Sequence, residues 1–423
     1  MTDTTTLVVA GAGLAGVRAC EAARRKGFEG AIVLIGEEPA LPYDRPPLSK
    51  QMLTAPPGSV EVQLRPRSVL EDELNIQVRT GVRAIGLDTG SRVLQTSEGE
   101  VEYDELIIAT GAAARKLPEA REFSGVLALR TIEDARRLRG HLVEDTRVVV
   151  VGAGFIGSEI ASAASKLGLR VTIVEAASAP LVRSLGAEVG ALCTALHRAH
   201  GTDLRLGTTI TAVRARLGAE PDGLGRYPVA AVELSDGSLV EADVIVAGIG
   251  AVPATEWLQT AGVRLHEHDG GILCDANLAA LGHNGRPIPH VWAAGDVVHW
   301  PNPLFERTMR LEHWTSAAEQ GAAAAANALV QPADRRPYST VPYFWSDWYD
   351  TRIQFVGVPQ AEEVVVQHLL DERGGMVALY RAGERLVGAL TIGRPDLIMK
   401  YRRLVASAAS FAEGVDLHAG AVA

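Results

Sequence analysis

The chain is poor in cysteine: Cys20, Cys193 and Cys274 are the only three in 423 residues. None lies in a C-x-x-C pair or at zinc-ligand spacing, which argues against a redox dithiol, a cysteine-held cluster and a disulfide framework. Net positive charge is also missing. Lys+Arg 41 against Asp+Glu 51 leaves −10, a field that repels phosphate backbones and anionic lipid. No apolar run approaches the roughly 18 residues that a spanning helix needs. The opening residues Met1 to Thr6 lack the positive region of a secretory leader. The expectation is a soluble, cytoplasmic protein of a reducing compartment, without a role on nucleic acid or membrane. With 47% hydrophobic and 22% charged residues the chain can bury ordinary cores, and its length predicts about two to four domains.

What the chain has in excess is glycine, 43 residues, and two of its clusters share one layout. Leu7 to Ala10 is an apolar strand that runs into Gly11-Ala12-Gly13-Leu14-Ala15-Gly16, a helix to about Lys26, and a second strand, Ala31 to Ile35, ending at Gly36-Glu37-Glu38. Val148 to Val151 runs into Gly152-Ala153-Gly154-Phe155-Ile156-Gly157, a helix to about Leu167, and a strand, Arg170 to Val174, ending at Glu175. The first glycine permits the tight turn, the second lets backbone approach a pyrophosphate, and the third lets helix pack on strand. The helix N-terminus then faces the phosphate charge. Glu37 and Glu175 stand near the interval expected for an acid that bonds the adenosine ribose. Two such units predict two dinucleotides, one tightly held flavin and one exchangeable nicotinamide.

Later segments fit that scheme. Leu106 to Ile108 is an apolar strand ending in Ala109-Thr110-Gly111, and Val244 to Ala247 ends in the same way at Gly248-Ile249-Gly250. Val291 to Asp296 places a carboxylate after Gly295, before an alanine-rich helix from about Ser316 to Leu329. Asp296 can accept from a ribitol hydroxyl or cap a helix. After the proline-rich stretch 331–342, Ile353–Val356, Val364–His368, Met376–Tyr380 and Leu386–Ile392 read as antiparallel strands, and Pro395 to Phe411 as one closing helix.

These features, with Tyr43-Asp44-Arg45-Pro46-Pro47-Leu48-Ser49-Lys50, Glu312-His313-Trp314 and Val341-Pro342-Tyr343-Phe344-Trp345-Ser346-Asp347, make the chain resemble a known family. It is similar over nearly its whole length to the FAD-dependent NADH:ferredoxin and rubredoxin reductases of bacterial oxygenase systems, relatives of apoptosis-inducing factor. The resemblance implies an α/β fold with two Rossmann-like, glutathione-reductase-like dinucleotide domains and a C-terminal α+β interface domain. The expected boundaries are 1–116 and 244–330 for FAD, 117–243 for NAD, and 331–423 for the interface domain. It also implies a Lys50–Glu159 pair beside the flavin. FAD positions would be Gly11, Gly13, Leu14, Ala15, Gly16, Glu37, Arg45, Lys50, Val82, Ala109, Thr110, Gly111, Arg130, Gly295, Asp296, Trp314 and Trp345. NAD positions would be Gly152, Gly154, Phe155, Ile156, Gly157, Glu159, Glu175, Arg183, Gly248 and Gly250. A first-turn acid on a helix dipole is the plainer reading of Glu159.

The family often continues its last motif as Ser-Asp-Gln, whereas Trp348 follows Asp347 here. That ring can narrow access to the flavin, shift the partner preference, or simply pack. His197, His200, His266, His268 and His313 show no metal spacing on a shared helix and read as structural or exposed, with no metal expected. The implied chemistry is hydride transfer from NADH to FAD and single-electron delivery to a ferredoxin or rubredoxin that serves a haem-thiolate or Rieske oxygenase. Rival readings are a reductase of a quinone or radical, and a redox sensor of the apoptosis-inducing-factor type. An acidic partner would need a local basic patch, for which Arg310, Lys400, Arg402 and Arg403 are the candidates.

Overall fold

The apolar runs that precede each glycine cluster are too short and too β-branched for helices, and both become central strands of parallel sheets. In the computed structural model, which describes residues 5–369 and 374–422, with the side chains of 183 and 418–422 left aside, the chain forms two compact units.

The first unit comprises Met1–Asp44, Val62–Ala113 and Val252–Phe344. Its six-stranded sheet has the order Ala279–Leu281, Pro287–Ala293, Glu105–Ile108, Thr6–Ala10, Ala31–Gly36, Ile76–Thr80. All neighbours are parallel except the Ala279–Leu281 edge. Val8 lies level with Val33 on one side and Leu106 on the other, so the chain leaves the Thr6–Ala10 strand in one direction and returns on its far side. That reversal is the switch point at which open α/β sheets bind ligands. The helix Leu14–Arg25 follows this strand and packs on the helix Trp314–Ala328. A β-carbon at Gly321 would overlap the Ala15 carbonyl, and one at Gly295 would lie 3.1 Å from the Ala15 side chain. Only glycine allows this approach.

The second unit comprises Arg45–Glu61, Ala114–Ala251 and Trp345–Ala423. Its parallel sheet has the order Asp203–Leu206, Arg170–Glu175, Arg147–Val151, Val244–Ala247, Val126–Ala128, with the switch point again beside the glycine cluster. Val149, Val174, Ile245 and Val126 pack with Val229, Val232 and Leu234 of a small antiparallel sheet into one core. A five-stranded sheet, order Tyr343–Trp348, Thr351–Gly357, Arg385–Ile392, Met376–Ala382, Glu363–His368, ends the chain with two helices.

The expected junctions move. Val244–Ala247 pairs with Val148–Val151, so the 243/244 boundary would cut a strand out of its own sheet. Residues 331–342 group with the first unit and precede the C-terminal sheet, which begins at Tyr343. The closing helix is two helices, Pro395–Ala406 and Phe411–Val422. Ala408 takes a left-handed φ of 54° between them. Ser410 and Glu413 then bond reciprocally, hydroxyl to amide and carboxylate to amide, which starts a new helix.

Trp348 is fully buried, stacked on His197 at 4.8 Å, so of its three readings the structure shows that it packs. His197 is fully buried as well, bonded to the Tyr349 hydroxyl at 2.8 Å and to Ser158 Oγ at 3.1 Å. Burial, with His200 adding to it, pushes its pKa down to about 4. An unfolded histidine titrates near 6.5, so between about pH 6.5 and 4 the unfolded chain binds more protons and stability falls as pH falls. This one residue accounts for up to about 3 kcal/mol of that loss. His197→Phe is expected to be less stable at pH 7.5 yet to show a flatter decline in urea midpoint from pH 6.5 to 4. Identical slopes would exclude His197 as the titrating group.

Candidate functional site

Both glycine clusters are built as cradles. A β-carbon at Gly11 would overlap the Ala109 carbonyl and one at Gly16 the Gly11 carbonyl, while nothing stands within 4 Å of one at Gly13. In the second cluster Gly152 abuts the Gly248 carbonyl and Gly157 the Gly152 carbonyl. There Gly154 has only the Gly248 carbonyl near it, at 3.8 Å. The first and third glycines are closed by the fold and the second is open, which is the arrangement a pyrophosphate needs. Gly13 and Gly154 are the N-caps of Leu14–Arg25 and Phe155–Lys166. Neither helix has a side-chain cap or an acid in its first turn, so both turn their N-terminal amide dipoles toward an incoming anion. The residues present fit two dinucleotides.

The acids at the second strands differ. Glu37 is exposed, with Arg83 3.9 Å away. Glu175 is buried, and its two oxygens accept from the amides of Ala153 (2.7 Å) and Ala177 (2.8 Å). It thus braces the glycine turn as well as ending the strand.

Lys50 and Glu159 meet at 2.8 Å, with side chains 16% and 4% exposed. Glu159 is the fifth residue of its helix, beyond the first turn, so the helix-dipole reading does not apply. It is instead the acceptor of a buried network. Ser49 Oγ donates to one oxygen at 2.5 Å; Ser346 Oγ, at 2.6 Å, and the Asp347 amide, at 3.3 Å, donate to the other, which also takes Lys50. Ser49 and Ser346 stood inside the quoted motifs, but nothing in their spacing paired them with residue 159.

Arg45 donates to the Arg130 carbonyl at 2.6 Å, a contact between two of the expected FAD positions. Trp314 Nε1 donates to Asp44 at 2.6 Å, tying two motifs 270 residues apart. Val82 is buried, its amide bonded to Gly36; Thr110 Oγ1 donates to the Ala254 carbonyl; and the Gly295 amide donates to Gln320. Asp296 caps no helix, since the strands Val298–Asn302 and Arg307–Met309 separate it from Trp314–Ala328, whose N-cap is His313. Trp345 lies half-buried on the strand Tyr343–Trp348, and Ile156 is 46% exposed on its helix. The Arg183 side chain falls outside the described residues.

Arg310 differs from expectation. Its side chain is 16% exposed and donates to Asp269 (2.7 Å), to Glu312 (2.8 Å) and to the Asp296 carbonyl (3.0 Å). His299 and His266 reach the same Asp269, their rings stacked 4.1 Å apart. Arg310 is the cation of an internal cluster and adds no free positive surface. Lys400 and Arg403 are exposed on Pro395–Ala406, and Arg402 is half-buried.

The pyridine nucleotide-disulphide oxidoreductase family matches residues 5–321, and the reductase C-terminal family matches residues 343–417. The chain belongs to the pyridine nucleotide-disulphide oxidoreductases. Among relatives of this oxidoreductase, the rhodocoxin reductase of Rhodococcus erythropolis is 33% identical over 95% of this chain and 89% of its own length. The ferredoxin–NAD(+) reductase component of the anthranilate 1,2-dioxygenase system of Burkholderia cepacia is 36% identical over 95% and 94%. A covalent putidaredoxin reductase–putidaredoxin complex superposes with a TM-score of 0.86, at 29% identity over 99% of each chain. Despite the family's name, this oxidoreductase has no disulphide. Cys20, Cys193 and Cys274 are buried and unbridged, and burial pushes the thiols up, to about 12 for the first two and well above the ordinary value for Cys274.

The second cradle carries a testable preference. With a nicotinamide dinucleotide in it, Glu175 at the end of the second strand would repel a 2′-phosphate, and Ala176-Ala177-Ser178 supply no arginine to receive one. NADH is expected to exceed NADPH by at least about tenfold in kcat/KM, some 1.4 kcal/mol. Equal efficiencies in steady-state assays would remove Glu175 as the selector.

Proposed function

We propose that this chain is an NADH-dependent ferredoxin reductase of the cytoplasm, passing electrons by way of FAD to a small ferredoxin or rubredoxin that serves a haem-thiolate or Rieske oxygenase. The observation that supports this reading best is the pairing of two open phosphate cradles with three sealed, separate thiols. Two dinucleotides without a thiol relay leave the electrons one destination, an external acceptor. The relatives named for ferredoxin and rubredoxin reduction point the same way. No helix among the described residues is long and apolar enough to cross a membrane.

The first cradle, with Glu37, Asp296 and Trp314, would hold FAD. The second, with Glu175, Gly248 and Gly250, would hold the nicotinamide dinucleotide. In this reading the chain divides into FAD, NAD and interface domains, with the later junctions drawn near residues 251 and 344, where the chain passes from one compact unit to the other. FAD, when bound, supplies a carrier that accepts electrons in pairs and releases them singly. The protein's share is to bind, orient and tune. Lys50 provides a positive charge for the reducible ring, and Glu159 fixes where that charge stands.

Three measurements test this. Steady-state NADH oxidation should rise with added ferredoxin; turnover that responds only to quinones, or slow turnover with NADH-driven dimerisation, would favour the rival readings. Lys50→Met should fold normally and slow NADH-driven flavin reduction by about tenfold or more, with an altered flavin potential. Unchanged stopped-flow rates and an unchanged potential would make Lys50 a scaffold residue. For docking, Lys400→Glu should weaken ferredoxin-dependent turnover on the order of threefold to tenfold at low ionic strength while sparing NADH reduction of the flavin. Wild-type turnover indifferent to salt would exclude an electrostatic dock.

A further inference from the structure

The hydrogen bond from Trp348 Nε1 to Ser346 Oγ, 2.9 Å long and buried, settles a direction. An indole N–H only donates, so Ser346 accepts from Trp348 and its own proton must go elsewhere. The acceptor within reach is Glu159 Oε1 at 2.6 Å. That is the same oxygen that Lys50 binds at 2.8 Å. The Lys50 ammonium and the Ser346 hydroxyl therefore share one carboxylate oxygen, while Ser49 occupies the other at 2.5 Å. Trp348 itself cannot turn, being fully buried and stacked on His197. A glutamine amide, usual at this place in the family the chain resembles, holds both a donor and an acceptor and would leave the Ser346 proton undirected.

We infer that Ser346 and Trp348 are positioning residues that set how strongly Glu159 holds Lys50. Ser346 draws off part of the charge on Oε1, so the carboxylate orients Lys50 without fully cancelling its field. Trp348 keeps the serine aimed. Without the serine proton, Oε1 turns wholly to Lys50 and the lysine charge is more completely neutralised. Less positive field then reaches the ring, and electron uptake becomes less favourable. The inference rests on the proposed role of Lys50.

The test compares Ser346→Ala, Ser346→Thr, Trp348→Phe and Lys50→Met in the flavin-loaded protein. It reads the midpoint potential of the bound flavin by dye-coupled titration, the Kd for NADH, and thermal melting. Ser346→Ala should lower the equilibrium constant for two-electron reduction by about tenfold, about 30 mV, without changing the Kd for NADH. Trp348→Phe, which keeps a ring and loses the donor, should move it the same way by about threefold. Ser346→Thr, which restores the hydroxyl, should return it to within about twofold of wild type. A wild-type potential in Ser346→Ala beside a shifted one in Lys50→Met would overturn the inference while leaving the role of Lys50 standing. Equal shifts in Ser346→Ala and Ser346→Thr would also overturn it, because the hydroxyl would then not be the cause. An unshifted Lys50→Met would overturn the role of Lys50, and the inference with it. Should Ser346→Ala fail to retain flavin or melt early, Trp348→Phe decides on the same potential.

Discussion

A single buried carboxylate organises the second unit. Removing a charge of that size from water costs several kcal/mol even after relaxation, and only good partners offset it. Glu159 ties its own helix to two distant stretches of chain that supply them, Ser49 and Lys50 in one and Ser346 with the Asp347 amide in the other. Each stretch is held by the need of the others. The segment Arg45–Glu61, isolated in sequence from the rest of its unit, is fastened there by this charge. The strand Tyr343–Trp348 is fastened by it too, at the point where the C-terminal sheet begins.

The two cradles solve a different problem with the same means. Each places its first and third glycines against backbone and leaves the second open above an uncapped helix end. The surface that each cradle offers to an anion is thus main chain, with the acid that ends each second strand beside it. Those acids then diverge: Glu37 stays in solvent while Glu175 is folded back onto the turn it serves. The same architecture keeps all three thiols inside and unbridged, so no disulphide stands as an internal electron acceptor.

Much of this was legible in the sequence because the signals were local. Strand, glycine turn, helix and acid follow one another within about 30 residues, and both fingerprint helices and all four expected C-terminal strands form close to where the glycine clusters and apolar runs placed them. What was hidden depends on contacts distant along the chain. The strand Val244–Ala247 was recognisable as a strand, yet only its pairing with Val148–Val151 assigns it to a sheet. Arg310 read as surface charge because Asp269, which holds it, comes 41 residues earlier in a polar loop. Ser346 and Ser49 are too common as residue types to signal a carboxylate in the core. The break after Ala406 was missed because Ser407 to Ser410 contains no glycine or proline.

The contact between the helices Leu14–Arg25 and Trp314–Ala328 sets a tolerance for the first cradle. With Gly321 pressed on the Ala15 backbone and Gly295 on the Ala15 side chain, there is no spare thickness behind the glycine turn. A single added methyl at position 321 acts as a shim: it lifts the fingerprint helix from the rear and changes the aperture in front without touching any residue there. Retention of FAD in the first cradle, as proposed for it, then depends on how closely two helices can nest behind the glycine turn.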